Sequence, residues 1–484
     1  MWALDLDPLT PSCATASTDC QSPTAAMALA VANAKNFAAK ITLTVGTGAK
    51  AVFDVPAQST ILINVPPKGW SVSDPGPLLA GFSNLQIKLQ FDQILSVVQL
   101  NPAPKGSDAT AAATALLPGG ALGDSYVVAA RPHEPSAASP PSLSIVSTSD
   151  GTTVVKIVPT APLNGGDVTL ATGQSTTFKL GAGVLHLTST ATDTDLTGTQ
   201  ITADKAFAVF FGASVAIPGP EPCSAGTRSQ SGWACTTSAD CPKVCCPDHI
   251  EAQLWPEQAW AKAYVAAHFV KRGKAKDLWR VVAGAMPTTV TTQPAQGPPM
   301  VLAAYQWAEF GSDQDFVISG TKVFGLVQFM AGSHAPAANN GTCTGSKLGK
   351  TVCESPNSGQ QTPIGCAKNT DCPNVLQPDD AQLGDPEMVW VPNPALWPWA
   401  TMVVCPDGFA AHYVTLVVQG SPQVKLDGKV LPVSAFVPVA QGYAVARIAL
   451  SAGAHQVMAT GPVGLTVHGW SQGKSYAYAP LGSK

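Results

Sequence analysis

The chain has 484 residues, of which only 12% are charged, and it carries 43 glycines, 42 prolines and a net charge of −4. That length holds about three or four domains, and the turn-rich, low-charge composition is that of extracellular β-proteins, which excludes a bundle of long amphipathic helices. With no basic block, nucleic acid is not expected as a partner, and no run reaches the ~18 apolar residues of a membrane-spanning helix.

The opening stretch, Met1 to Asp7, has no basic region, apolar core or small-residue cleavage site of a secretory signal, so a truncated start is expected. In a first module, residues 1–107, segments 41–45 and 61–65 are short, β-branched and bounded by Gly or Pro. A second module, 108–218, has strand-like segments at 143–147, 152–158, 176–180 and 184–188. The link 148–152 carries Asp150-Gly151 and predicts a hairpin, because Asp-Gly suits the positive φ of tight turns. A third module, 219–333, begins with a cysteine-rich segment. Residues 252–267, with Pro256 near their start, predict a short helix there. The last unit, 334–484, joins a long Asn/Gly/Ser/Pro-rich loop to strands at 413–418, 423–426, 443–450 and 464–469.

One phrase recurs, starting at Gln93, Lys205, Lys322 and Gly461. Its fourth position is small (Ser96, Ala208, Gly325, Gly464) and its fifth is Val97, Val209, Leu326 or Leu465. Recurrence at domain-sized intervals points to one module used four times. The expected fold is all-β: about four tandem antiparallel β-sandwich-like repeats, in a row or as a closed ring, with disulfide-pinned loops.

The twelve cysteines cluster in polar loops: Cys13 and Cys20; Cys223, Cys235, Cys241, Cys245 and Cys246; Cys343, Cys353, Cys366 and Cys372; then Cys405. Three clusters repeat a cysteine, five or six small polar residues, then Asp-Cys. An even count in such loops predicts a disulfide framework built in an oxidising compartment. The competing expectation is zinc held by Cys241, Cys245, Cys246 and His249, although only half of the usual paired-cysteine pattern is present.

Three further constellations resemble chemistry. Gly469-Trp-Ser-Gln-Gly473 fits a hydrolase nucleophile elbow around Ser471, but no Asp, Glu or His follows it and no helix is expected after it. Gly345 to Thr351 falls one residue short of a phosphate-binding loop and lies between Cys343 and Cys353. Asp193, Asp195 and Asp204 occupy calcium-loop positions with Gly198 at the sixth, without expected flanking helices. No catalytic residue and no cofactor is expected. The tryptophans of the second half (Trp255, Trp260, Trp279, Trp390, Trp397, Trp399) are expected mainly in cores and module interfaces, with a ligand contact patch as the alternative.

Several stretches in order resemble the IgG Fc-binding protein N-terminal domain family: Trp2 to Asp7, Thr197 to Lys205, Cys246-Pro-Asp-His-Ile-Glu-Ala-Gln-Leu-Trp-Pro256 with Trp260-Ala-Lys, Gln328 to Gly332, Gly384-Asp-Pro386 and Ser475 to Pro480. Ala261 stands where that family tends to have Gly, and the Asp-Cys-Pro loops resemble insertions in secreted myxobacterial proteins. The resemblance implies a secreted or cell-surface, non-enzymatic binding or adhesion protein, with a protein or glycan ligand and room for self-association; IgG binding itself is not carried over. A Ser471 hydrolase and a calcium-dependent carbohydrate binder are the alternatives.

Overall fold

A computed structural model describes residues 1–3, 27–46, 50–65, 80–84, 86–101, 112–132, 140–149, 151–190, 194–216, 248–272, 276–332, 342–344, 352–354, 361–365, 384–471 and 473–482. The chain is all-β, and one sandwich plan occurs four times. In the first copy a front sheet runs Trp2–Ala3, Ile87–Phe91, Ala39–Val45, Lys50–Val55, and a rear sheet runs Ser59–Val65, Met27–Asn33, Ser96–Asn101, Ala112–Ala115. The fourth copy repeats it: Ala400–Cys405, Gly453–Ala459, Val424–Leu426, Lys429–Val430 in front, and Tyr443–Leu450, Ala411–Gln419, Val463–Ser471, Lys474–Tyr478 behind. In the second and third copies the two strands before the last fuse into one long strand, Gln200–Ala216 or Phe316–Met330. The first half of each long strand joins the front sheet and the second half joins the rear.

The burial pattern explains how the copies assemble. Front strands alternate, as in Thr153–Val158, where Thr153, Val155 and Ile157 are buried and Lys156 is exposed. The central rear strands Met27–Asn33, Ser142–Ser147 and Asp277–Ala283 of the first three copies are buried throughout. A strand buried on both faces needs a second packing partner, and the preceding copy supplies it. Val146, Ala208 and Phe210 of the second rear sheet pack into the first copy's core. Leu278, Val282, Val327 and Phe329 of the third pack on the second, and Val417 and Val445 of the fourth pack on the third. Ala28, Ala30, Val98 and Leu100 of the first rear sheet pack on the fourth copy. Head-to-tail contacts whose rotation closes make a ring.

The ring is stitched by the last rear-sheet strand of each copy. Ala112–Ala115, Asp248–Gln253, Glu387–Trp390 and Lys474–Tyr478 pack around one another in a cycle. The first three run through short turns, Gly119–Ala121, Glu257–Ala259 and Pro394–Leu396, into the front sheet of the next copy. The recurring phrase lies beneath these crossings, which explains its small fourth residue. A Cβ on Gly325 would stand 2.9 Å from both the Trp260 and Trp390 rings, and one on Gly464 would stand 2.6 Å from Trp397. Ser96 Oγ donates to the Leu481 carbonyl at 2.7 Å, where the chain's last segment closes the ring.

Two local expectations are corrected. Residues 252–267 form no α-helix: they are the end of one strand, the turn Glu257–Ala259 and the strand Ala261–Ala266. The ring needs an extended crossing there, and Pro256 precedes a single turn only. The 148–152 link is no hairpin either. Ser142–Ser147 pairs with Val184–Ser189 and Gln200–Ala216, whereas Thr153–Val158 pairs with Thr176–Leu180 and Gln200–Ala216, so the link crosses between sheets. Asp427-Gly428 is a tight turn, with φ of 49° and 77°. Outside the ring, Thr342–Thr344, Val352–Glu354 and Gln361–Gly365 form a small sheet whose register sets Cys343 opposite Cys353.

Candidate binding cleft between the second and third modules

An open cleft of about 1090 Å³ lies where the second and third modules meet. Thr160, Asp195 and Thr197 form the second-module side, and Lys276, Val290–Thr292, Gln296–Leu302 and Tyr305–Gly311 form the third-module side. The turn of the second module that carries Thr197 approaches closely: Gly198 has φ of 92°, and a Cβ there would stand 2.7 Å from the Tyr305 carbonyl oxygen. Only glycine meets both demands at little cost.

A buried charge network forms the floor. Glu309 Oε2 accepts from Arg131 Nη2 at 2.6 Å and from Arg280 Nε at 3.0 Å. Arg280 Nη1 reaches Asp195 Oδ2 at 2.7 Å, Thr197 Oγ1 at 2.6 Å and the Ala130 carbonyl at 2.5 Å. Thr197 in turn donates to Asp195 Oδ1 and accepts from Ala130 N–H at 3.0 Å. The Arg280 guanidinium lies 4.0 Å from the Trp307 ring centroid, and that of Arg131 lies 4.3 Å from Phe329. Burial pushes Arg131 downward, with Glu309 opposing. At Arg280 burial is outweighed by Asp195 and Glu309, which hold it above its ordinary value. Two cations and two carboxylates balance, so the floor is polar without net charge. Its first effect is to fasten the two modules, because removing one member leaves a buried charge uncompensated.

Of the proposed calcium ligands, Asp195 belongs to this network, with Arg280 against its carboxylate. Asp204 is on the long strand, and its Oδ1 accepts from Val154 N–H at 2.8 Å. Asp193 lies outside the described residues. Among the zinc candidates, Cys241, Cys245 and Cys246 lie outside them too, while His249 is buried with Nε2 3.3 Å from Glu251 Oε2. Among the described residues no three His, Cys, Asp or Glu side chains are grouped to hold a metal.

Cys405 is corrected from the disulfide set: it is a free thiol, buried in the fourth module's core, and burial pushes it up to about 11. The remaining cysteines lie outside the described residues or in strands described by their backbone alone. Ser471 ends a strand and faces a hairpin into Lys474–Tyr478, with no elbow helix; its Oγ accepts from Ala410 N–H at 2.7 Å. Trp255, Trp260, Trp279, Trp390 and Trp397 are buried, whereas Trp399 is 45% exposed.

Sequence reasoning missed Arg131, Arg280 and Glu309. A signal existed: Arg280 interrupts the apolar strand Leu278-Trp-Arg-Val-Val-Ala283, and Arg131 ends Val127-Val-Ala-Ala130. A lone arginine in a doubly buried strand must find a carboxylate.

The four β-sandwiches close into a ring, with an open cleft at the junction of the second and third modules. Residues 112–469 match the IgGFc binding protein family, well over half of the chain, and the chain belongs to that family. The family is one of extracellular binding proteins and not of enzymes. Comparison with curated proteins and with solved structures gives no match. Among the described residues no helix is long and apolar enough to cross a membrane.

Proposed function

We propose that the chain is a secreted or cell-surface, non-enzymatic recognition protein that holds a protein partner in the cleft between its second and third modules, as part of adhesion at a surface. The carrying observation is the cleft itself, about 1090 Å³, walled by exposed Thr291 and Val301 above an internally neutralised charged floor. Clefts with a few fixed polar groups occur preferentially where domains meet, and such junctions are common recognition sites. The family name refers to the Fc part of immunoglobulin G; that ligand is not transferred here.

The test uses peptides selected from a random-peptide display library on the intact chain, with affinities measured on wild type, Thr291→Arg and Val301→Arg. Val301 is 77% exposed, so Val301→Arg leaves the core untouched. A loss of about tenfold or more in both variants is expected. Binding that ignores both substitutions, or a library that yields no binder, overturns the assignment of the cleft.

A further inference from the structure

The cleft exposes a strand edge that two other copies of the module cover. In each rear sheet the second strand pairs outward with an equivalent strand: Ser59–Val65, Val184–Ser189, Trp307–Ser312 and Tyr443–Leu450. In the second module that strand is capped by a segment of the first module, Gly81–Ser83, with Ser83 opposite Val184 and Gly81 opposite His186. In the fourth it is capped by Val437–Pro438, opposite Val445 and Ala444. The registers to the neighbouring strand make Val184, Trp307 and Val445 equivalent, and likewise His186, Glu309 and Arg447. Among the described residues no strand pairs with the outer edge of Trp307–Ser312.

The covered edges are met by different segments: that of the second module also pairs with its own Leu163–Gly165, and that of the fourth with a segment of its own module. Ser59–Val65 of the first, like Trp307–Ser312, has no outer partner among the described residues, but it does not line the cleft. The first module reaches its neighbour through residues 66–86, whereas the corresponding link of the second module spans only 190–199. That short link stops at Asp195 and Thr197, which contact Arg280 instead of laying a strand on the edge. On the open edge, Ala283 N–H bonds the Gln306 carbonyl at 2.8 Å. Antiparallel alternation therefore turns the backbone N–H and C=O groups of Trp307, Glu309 and Gly311 away from the sheet, along residues that line the cleft.

From this we infer that the partner enters as an extended segment of a protein, which adds one antiparallel strand to Trp307–Ser312, centred on Trp307 and Glu309. This rests on the cleft being the recognition site and specifies how it binds. Backbone pairing supplies affinity, and alternate side chains of the guest meet the walls. The chain's own Gly81–Ser83 shows the geometry on an equivalent strand. The floor itself asks for no countercharge, because Asp195 and Glu309 are already held by Arg280 and Arg131, while exposed Lys276 adds a positive charge on the lining near Gly311.

The experiment methylates each backbone nitrogen in turn of the tightest peptide released by Val301→Arg, and follows amide exchange in the intact chain. Strand addition predicts losses of about tenfold or more at every second peptide position, since alternate amides lose a buried hydrogen bond. It also predicts slowed exchange at Trp307, Glu309 and Gly311. Losses without a two-residue period, with unchanged exchange at those amides, overturn strand addition while the cleft assignment stands. A peptide that Val301→Arg does not release counts against the cleft itself.

Discussion

The strands Val184–Ser189 and Trp307–Ser312 hold the same place in two copies of one module and meet different fates. The first is covered along its outer edge, and its central pair is neutral: Ser144 Oγ lies 2.8 Å from His186 Nδ1, and burial pushes that imidazole down to about 4. The second is uncovered, and its central pair is Arg280 with Glu309. The first and fourth copies place Ala30 with Leu62 and Thr415 with Arg447 at the same position. One backbone plan thus accepts apolar, neutral polar and charged pairs. The covered edge carries a pair that stays neutral, while the uncovered one keeps Asp195 and Glu309 about a tenth exposed at the cleft, with side-chain accessibilities of 10% and 8%. Charges are retained where water or a guest can still reach them, because full desolvation is expensive.

The largest effect should come from breaking the charged pair. Arg280→Met removes the cation held against Asp195 and one of the two held against Glu309, and should destabilise the chain by about 3–5 kcal/mol, the usual cost of leaving a buried charge unpaired. Ser144→Ala, at the equivalent position of the second module, should cost only about 1 kcal/mol, the worth of one neutral hydrogen bond. Thermal melting of the two variants against wild type measures the difference. Equal shifts would mean that the two junctions are fastened alike, against the comparison.

A smaller effect separates the crossings. Gly325→Ala pushes a methyl group against two indole rings and should cost about 1–3 kcal/mol, as overpacked cores do. Ser96→Ala, at the same position of the first module, loses one hydrogen bond to Leu481 and should cost about 1 kcal/mol. Urea unfolding of each variant ranks them, and a neutral Gly325→Ala would show that Trp260 and Trp390 can move aside.

The repeat and the all-β class were legible because the recurring phrase is the most confined strand of each module: core on one face, a neighbouring module and the crossing turn on the other. Segments 176–180 and 443–450 were read with the bounds the structure gives. The helix reading of 252–267 failed because its aromatic residues follow the demands of the ring crossing, which a local pattern does not contain. The cleft was less legible still. Asp195 stood out, but for a calcium-like spacing, whereas its partner Arg280 is 85 residues away in sequence. The open edge depends on which distant segments reach each outer strand, so no single motif could announce it.

The smallest effect is a matter of pH, and it compares the same two modules through one buried group in each. His186, held neutral by burial with a value of about 4 against 6.5, leaves its stability contribution intact above pH 6.5. That contribution is lost as pH falls toward about 4, and amounts to about 3 kcal/mol at 1.36 kcal/mol per unit. Asp277, opposite Ser312 at the end of the open strand, is pushed up to about 6 chiefly by burial, against hydrogen bonds from Phe269 N–H and Gln328. Its contribution has the opposite sign: present in full below pH 3.8, it is lost as pH rises through about 6, again by about 3 kcal/mol. Between pH 4 and 6 the slopes of these two groups oppose, while His268, His412 and His468, also pushed down chiefly by burial, add slope of the same sign as His186. His186→Gln keeps a partner for Ser144 and removes the acid-side loss, so relative to wild type its stability should fall with rising pH across that window. Asp277→Asn should do the reverse and gain stability with rising pH. Melting curves at half-unit steps distinguish the cases, and parallel profiles for both variants would show that neither buried group titrates as its surroundings dictate.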